Sequence, residues 1–175
     1  PDCKAHLALI KREGFAAVKV HPHSQNVEFN DIRMKNLIYA ASEIGLPVIT
    51  HAGYDPYTPD HEFCTPDMVL DVLKDVAPEN LILAHLGSNE NYDEAEEKLC
   101  GQNIFLDTAY SITRVSEAQF IRMVRKHGAD KILFATDCPW ADQRTCAEIL
   151  KESALTDREK ELILSENAIK LLGIQ

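Results

Sequence analysis

The sequence lacks the positive charge that proteins binding nucleic acid usually carry. Of its 175 residues, 28 are acidic and 18 are basic, a formal net charge of −10, and the basic residues form no dense run. Such an excess of negative charge opposes non-specific binding to nucleic acid and to anionic lipid surfaces. The sequence also has no apolar run of the length that spans a bilayer. We therefore predict neither a nucleic-acid partner nor a membrane partner.

The sequence also lacks a disulfide framework. Its five cysteines are odd in number and include no C-x-x-C pair, so we interpret them as reduced thiols and predict a cytoplasmic protein. Cys138 directly follows Asp137. We favour a small, inert side chain there over a reactive thiol.

A glycine-rich phosphate loop is absent as well, although strands and helices alternate five times. The predicted strands are short apolar runs over 15–21, 47–51, 81–85, 104–107 and 131–137. Repeated crossover units of this kind build either an open doubly wound sheet or part of a (β/α)8 TIM barrel. Because the open sheet usually carries such a loop, we predict an α/β barrel fold and one domain over residues 1–175.

Three of the predicted strands end in a residue that can bind a metal. His51 ends PVITH, His85 ends LILAH, and Asp137 follows ILFAT. The carboxyl ends of barrel strands form the active-site face, and imidazoles with a carboxylate suit Zn²⁺, Mn²⁺ or Fe²⁺. One such histidine could equally be a core residue, and Asp137 could instead cap the next helix. Two histidines on successive strands favour a metal site.

Five blocks of the sequence, in this order, resemble successive blocks of the amidohydrolase-related family of metal-dependent TIM-barrel enzymes: GFAAVKVHPHSQ, PVITHAG, LILAHLG, ILFATDCPW and SENAIKLLGI. That family includes hydrolases and the non-oxidative decarboxylases of aminocarboxymuconate-semialdehyde type. The resemblance covers the chain from about Gly14 onward. By analogy, the five strands correspond to strands four to eight of the barrel.

The resemblance implies a role for each strand-end residue. His51 would be a metal ligand, and His85 would lie beside the metal, where it orients or deprotonates a water molecule. Asp137 would complete the metal site and handle protons. The implied cofactor is a divalent metal, with Zn²⁺ as the first choice and Mn²⁺ or Fe²⁺ as alternatives.

Four further residues are candidates for binding a small-molecule substrate. Lys19 and His21 share one face of their strand by alternation, and Lys19 could meet a substrate carboxylate. Arg114 follows the fourth strand and could bind an acidic substrate. Trp140 follows Asp137 and would form a rigid aromatic wall beside it, which suits a pocket and equally suits packing.

The paired-histidine motif of the family's first strand has no counterpart here. His21-Pro22-His23 is itself an H-x-H, but only one helix separates it from PVITHAG, and the proline ends the strand. We therefore interpret it as the strand-four block. We expect a segment upstream of Pro1, or another subunit, to complete the barrel, and we expect the metal to be absent if nothing does.

The predicted function is that of a metal-dependent hydrolase of the amidohydrolase type, with a decarboxylase as the second choice. The alternative is a truncated, non-catalytic barrel that serves as a scaffold or binding module. A homodimer is the oligomeric state that we expect.

Overall fold

The chain forms a parallel sheet of five strands with helices between them. The computed structural model describes residues 2–174, so the two ends of the predicted domain, residues 1 and 175, lie outside the described residues. Each strand pairs in parallel with the next one, in the order β1-β2-β3-β4-β5. The strands are β1 Val18–Val20, β2 Val48–Thr50, β3 Leu81–Leu83, β4 Phe105–Asp107 and β5 Ile132–Leu133.

One helix precedes the first strand, and the others connect the strands or follow the last one. They are α1 Cys3–Arg12, α2 Pro22–Gln25, α3 Ile32–Glu43, α4 Pro66–Val76, α5 Tyr92–Lys98, α6 Glu117–His127, α7 Gln143–Glu152, α8 Asp157–Glu161 and α9 Asn167–Leu172. A π-helical turn, Leu162–Glu166, joins α8 to α9, and 3₁₀ turns lie at His85–Gly87, Ser111–Thr113 and Ala129–Lys131. Over residues 2–174, none of these helices is both long enough and apolar enough to cross a bilayer.

Local sequence signals explain where most helices begin and end. The side chain of Asp2 caps α1, and Pro22, which was predicted to end the first strand, starts the short helix α2. The capping box of Thr156 and Glu159 is present at the start of α8. Gly173 ends α9 in the left-handed conformation.

The apolar core holds the strands in register. All three residues of the central strand β3 are buried, as expected for a parallel strand that is covered on both faces. Helix α3 packs against α4, and α4 against α5. Phe29 and Phe120 are among the largest side chains that are fully buried. The polar side chains of the candidate site therefore lie at the ends of the strands, beyond this apolar core.

The register places polar residues from three strands on one face of the sheet. One row of that face consists of partners on neighbouring strands: Lys19, Ile49, Ile82 and Phe105. Because side chains alternate between faces, residues two positions further along point the same way where the strand continues. Those residues are His21, His51 and Asp107. The carboxyl end of the sheet therefore receives two imidazoles and a carboxylate.

The structure corrects the prediction that Asp137 ends a strand. Strand β5 ends at Leu133, because it is the edge of the described sheet and the N–H of Phe134 donates to a carbonyl of the π-helical turn (2.9 Å). Beyond it, the Thr108 hydroxyl accepts the N–H of Ala135 at 2.9 Å and donates to its carbonyl at 2.8 Å. Asp137 follows in a loop, exposed and with a φ of 58°.

Candidate metal centre and active site

Two histidines that follow β2 and β3 form the centre of the candidate site. His85 Nε2 lies 3.0 Å from His51 Nδ1, and His85 Nδ1 lies 2.9 Å from the carbonyl oxygen of Ala109. Since a carbonyl only accepts, the hydrogen of a neutral His85 lies on Nδ1, whereas the hydrogen of a neutral His51 can lie on Nδ1, facing His85, or on Nε2, which is 3.3 Å from the carbonyl oxygen of Tyr54. A ligand bound at His51 Nε2 would replace the contact with Tyr54 and keep the hydrogen on Nδ1. The structure thus brings together the two histidines that the sequence predicted.

His51 is in the protonation state that metal binding requires. His51 is only 8% exposed to solvent. Burial, assisted by the charges of His85, His21 and His23, lowers the pKa of His51 to about 3. The ring is therefore neutral at pH 7, and a neutral imidazole is the form that binds a metal ion.

Gly53 joins the loop after His51 to the loop after His85. It forms an isolated parallel bridge with Asn89, and the Asn89 side chain donates to the carbonyl of Tyr54 at 2.9 Å. A Cβ atom on Gly53 would lie 2.2 Å from the backbone nitrogen of Asn89. Only glycine allows the two loops to approach this closely.

His21, His51 and Asp55 bring three candidate ligand atoms within 4.8 Å of one another. The His21 and His51 rings stack, with centroids 4.6 Å apart and planes 16° apart. Asp55 is buried; its Oδ2 lies 3.6 Å from His21 Nε2, and its Oδ1 accepts the N–H of Tyr57 at 2.8 Å. The sequence-based prediction missed Asp55. Its place four residues after His51, in a polar loop over 54–64, is the signal that could have identified it.

The chemistry of this donor set fits a divalent cation. Imidazole nitrogens and a carboxylate oxygen are ligands for Zn²⁺ and Mn²⁺. His21 differs from the other two residues, because its Nδ1 accepts the N–H of Ser24 at 3.3 Å. Its hydrogen therefore lies on Nε2, which faces Asp55. We assign His51 and Asp55 as the better candidate ligands, with His21 orienting the carboxylate, since ligating carboxylates are commonly hydrogen-bonded themselves.

His23 forms a wall behind the cluster. Its ring meets the His51 ring edge-on at a centroid distance of 5.0 Å, and its Nε2 accepts the N–H of Phe63 at 3.4 Å. Burial lowers the pKa of His23, so the ring is neutral at pH 7. The structure gives His23 a packing role that its H-x-H spacing did not indicate.

Lys19 and Asp137 lie outside the cluster. Lys19 lies in β1 and is exposed. Burial is the main cause that lowers the pKa of His21, the charge of Asp55 opposes it, and the positive charge of Lys19 adds to the lowering. Asp137 belongs to no group of three close ligand atoms within residues 2–174. The roles given to these two residues from the sequence stay predictions.

Arg114 and Trp140 are two further residues that the sequence predicted to bind the substrate. Arg114 donates to Glu90 Oε1 at 3.3 Å, and its guanidinium lies over the Tyr110 ring, 5.2 Å from the centroid. Trp140 is 63% exposed. A substrate carboxylate would have to compete with Glu90 for Arg114, and the predicted substrate contacts of both residues stay predictions.

Comparison with known proteins identifies the family. A family model described as amidohydrolase matches residues 4–174. The chain belongs to the amidohydrolase family. This confirms the resemblance that the five sequence blocks indicated. No curated protein matches the chain at a significant level.

Solved structures share the fold of this chain at low sequence identity. A dihydroxybenzoic acid decarboxylase from a Polaromonas species, which contains manganese, matches with a TM-score of 0.74 and 16% identity, over 98% of this chain and 65% of that one. The 5-carboxyvanillate decarboxylase of Sphingomonas paucimobilis matches with a TM-score of 0.74 and 13% identity, over 99% and 64%. An uncharacterized TIM-barrel protein of Bordetella bronchiseptica matches with a TM-score of 0.76 and 23% identity, over 97% and 61%.

The chain therefore spans between 61% and 65% of the length of these three structures. Its five parallel strands have the fold of part of a TIM barrel, as predicted. The assignment to strands four to eight stays a prediction.

We expect this chain to lose stability as the pH falls below about 6.5. Burial lowers the pKa of four histidines in the folded chain: His21, His23, His51 and His127. The unfolded chain then binds more protons than the folded chain, and for His51 the window extends from the unfolded value of 6.5 down to about 3. One fully shifted histidine contributes at most about 1.4 kcal/mol per pH unit.

Urea denaturation with chelator present, at pH 7.5 and pH 5.5, measures this effect. The unfolding free energy should be lower at pH 5.5, and His51→Gln should reduce the difference. His6→Gln, a change at an exposed helix position, serves as the control and should leave the difference in place. An unfolding free energy that rises towards pH 5.5 would contradict the expectation.

Proposed function

We propose that this chain carries the metal-binding and acid–base groups of a divalent-metal-dependent amidohydrolase-type enzyme. Its substrate would be small and acidic, and the reaction either hydrolysis or non-oxidative decarboxylation. The observation that supports this most directly is the contact of His51 with His85 beside the buried carboxylate of Asp55. Two buried imidazoles in direct contact at neighbouring strand ends, beside a buried carboxylate, suit metal binding and proton transfer.

Three residues of this chain would take part in holding the cation. His51 through Nε2 and Asp55 through Oδ2 would be the ligands, with His21 supporting Asp55. We propose Asp137, from the loop after β5, as a further carboxylate for the metal and for proton transfer. Manganese occurs in the Polaromonas decarboxylase, so Mn²⁺ is tested beside the Zn²⁺ favoured from the sequence. Such a cation polarises a substrate oxygen and lowers the pKa of bound water.

His85 would hold the proton that moves during the reaction. Its Nδ1 hydrogen is fixed to the carbonyl of Ala109, which leaves Nε2 as the atom that can gain or lose a proton. With His51 Nε2 occupied as a ligand, the His51 hydrogen stays on Nδ1 and His85 Nε2 stays an acceptor. We propose that Lys19, His21, Arg114 and Trp140 bind the substrate around this pair.

Decarboxylation is the reaction to test first. Two of the three structural relatives described above are decarboxylases of hydroxylated aromatic acids, whereas hydrolysis rests on the family resemblance alone. An assay for release of carbon dioxide distinguishes decarboxylation from hydrolysis. The substrates to test are 5-carboxyvanillate and 2,6-dihydroxybenzoate, after which a further structural relative is named. We also propose that further strands, from another segment or subunit, close the barrel between the edge strands β1 and β5.

Thermal unfolding with and without metal tests the proposed cation site. Mn²⁺ or Zn²⁺ at 100 times the dissociation constant should stabilise the fold by about 2.7 kcal/mol, a rise in Tm of about 5–10 °C. His51→Ala should remove most of this rise, because it deletes the proposed imidazole ligand.

His127→Gln is the matched control for this experiment. His127 is also a buried histidine, but its Nε2 donates to the carbonyl of Ile104, at the opposite end of the sheet from His51. This variant should lower Tm without reducing the rise caused by metal. No rise in the wild-type chain would contradict the proposal and favour the alternative of a non-catalytic scaffold.

A further inference from the structure

We propose that Asp107 is a positioning residue, whose carboxylate sets the ring orientation and tautomer of His85 through the backbone of both His85 and Ala109. The proposal rests on the proposed function, in which His85 holds the moving proton. It concerns a residue at the carboxyl end of β4 that the sequence prediction left without a role.

The backbone at His85 has a conformation that needs support. His85 and Leu86 have φ values of 59° and 52°, and Gly87 follows with 92°. Two consecutive side-chain-bearing residues in the left-handed region are unusual, because their Cβ atoms crowd the backbone. Such a segment persists only where the surrounding structure determines it, and it is common at functional sites.

One oxygen atom of Asp107 supplies that support. Oδ1 accepts the N–H of His85 at 3.0 Å and the N–H of Ala109 at 3.0 Å. The carbonyl of the same Ala109 accepts the Nδ1 hydrogen of His85 at 2.9 Å. Both the backbone and the ring of His85 are therefore tied to one carboxylate.

Because Asp107 is buried, its carboxylate depends on these hydrogen bonds. The residue is 7% exposed. Burial raises the pKa of its carboxyl, and the electrostatic influence of His85 and the two N–H donors oppose that rise. Burying a carboxylate costs free energy unless hydrogen-bond donors reach its oxygen atoms. At Asp107 the donors are the two backbone groups that orient His85.

Histidine tautomers measured by nitrogen-15 NMR test this role without depending on activity. In the wild-type chain, at neutral pH with chelator, His85 should have its hydrogen on Nδ1. In Asp107→Ala, Ala109 is no longer held and a substantial fraction of the Nε2–H tautomer should appear. Asp107→Asn keeps one carbonyl oxygen as an acceptor, so the Nδ1–H tautomer should be restored.

Thr108→Val is the matched control. Thr108 is a buried neighbour of Asp107, but its hydroxyl bonds to Ala135 rather than to the His85 segment. It should not change the His85 tautomer. An unchanged tautomer in Asp107→Ala, or the same change in Thr108→Val, would overturn the proposal. If Asp107→Ala does not fold, a changed tautomer in Asp107→Asn overturns it and an unchanged one supports it.

Kinetics and metal binding separate this inference from the proposed function. With an active substrate, Asp107→Ala should lower kcat by about tenfold to 100-fold, since a misplaced catalytic group commonly costs that much. KM should stay within about twofold and the rise of Tm with Mn²⁺ should be retained. A wild-type chain that neither binds Mn²⁺ nor turns over substrate would refute the proposed function, while the NMR result would still decide the role of Asp107.

Discussion

Replacing His85 by alanine should lower kcat by about 100- to 10,000-fold, the usual contribution of a general acid or base. His85 Nε2 is the ring nitrogen whose hydrogen-bond partner is another titratable side chain, while Nδ1 is fixed to a backbone carbonyl. Alanine removes the only atom of the pair that we propose exchanges a proton with the substrate. The rise of Tm with Mn²⁺ should stay close to that of the wild-type chain, because His51 and Asp55 are unchanged.

Two variants make this experiment specific. His85→Asn keeps a polar side chain in the buried position and should lose nearly as much activity as alanine. His127→Gln again controls for the loss of a buried histidine and should retain kcat. If His85→Ala turns over as fast as the wild-type chain, the acid–base role of His85 is wrong. If His85→Ala instead abolishes the effect of Mn²⁺ on Tm, His85 is a ligand rather than an acid–base group.

Replacing Gly53 by alanine should be the most destabilising single change near the site. Gly53 has a φ of 81°, and a Cβ there would lie 2.2 Å from the nitrogen and 2.6 Å from the carbonyl oxygen of Asn89. Backbone atoms cannot move aside as a flexible side chain could. We expect a loss of about 3 kcal/mol or more in unfolding free energy, a fall in Tm of about 6–12 °C. Urea and thermal denaturation measure it.

Gly14 provides the matched control for this change. It has a similar φ of 85°, but nothing lies within 4 Å of a Cβ at that position. Gly14→Ala therefore includes the backbone strain without the clash, and it should cost only about 1–2 kcal/mol. Gly53→Ala should also reduce the effect of Mn²⁺ on Tm, because the loop that carries Asp55 is displaced. Equal stabilities of the two variants would show that the contact between Gly53 and Asn89 does not hold the loops together.

The sequence was sufficient to predict the order of strands and helices, because those signals are local. Apolar runs, the capping residue Asp2 and the box of Thr156 and Glu159 each depend on neighbours within a few positions. Strand lengths were less predictable, since pairing depends on the neighbouring strand. Asp137 shows this well: the apolar run predicts a longer strand, but pairing at the sheet edge stops at Leu133.

The candidate site also contains some contacts that the sequence predicts and others that it does not. His51 and His85 could be predicted to meet, because parallel strands bring their carboxyl ends to one edge. The place of Asp55 four residues after His51 could have suggested it as a ligand, but the position of its loop could not be predicted, because that loop is held by Asn89, 34 residues further along the chain. Asp107 could not either, because it acts on the backbone of a residue 22 positions earlier. Contacts between distant loops have no local sequence pattern.

Equilibrium dialysis against Mn²⁺, followed by elemental analysis of the protein, tests the central claim most directly. We expect about one ion per wild-type chain, since the candidate ligands form one cluster. The double variant His51→Ala, Asp55→Asn should hold less than about one tenth of an ion, because both proposed ligands are lost. His127→Gln should match the wild-type value. Equal metal content in the wild-type chain and the double variant would contradict the proposed site.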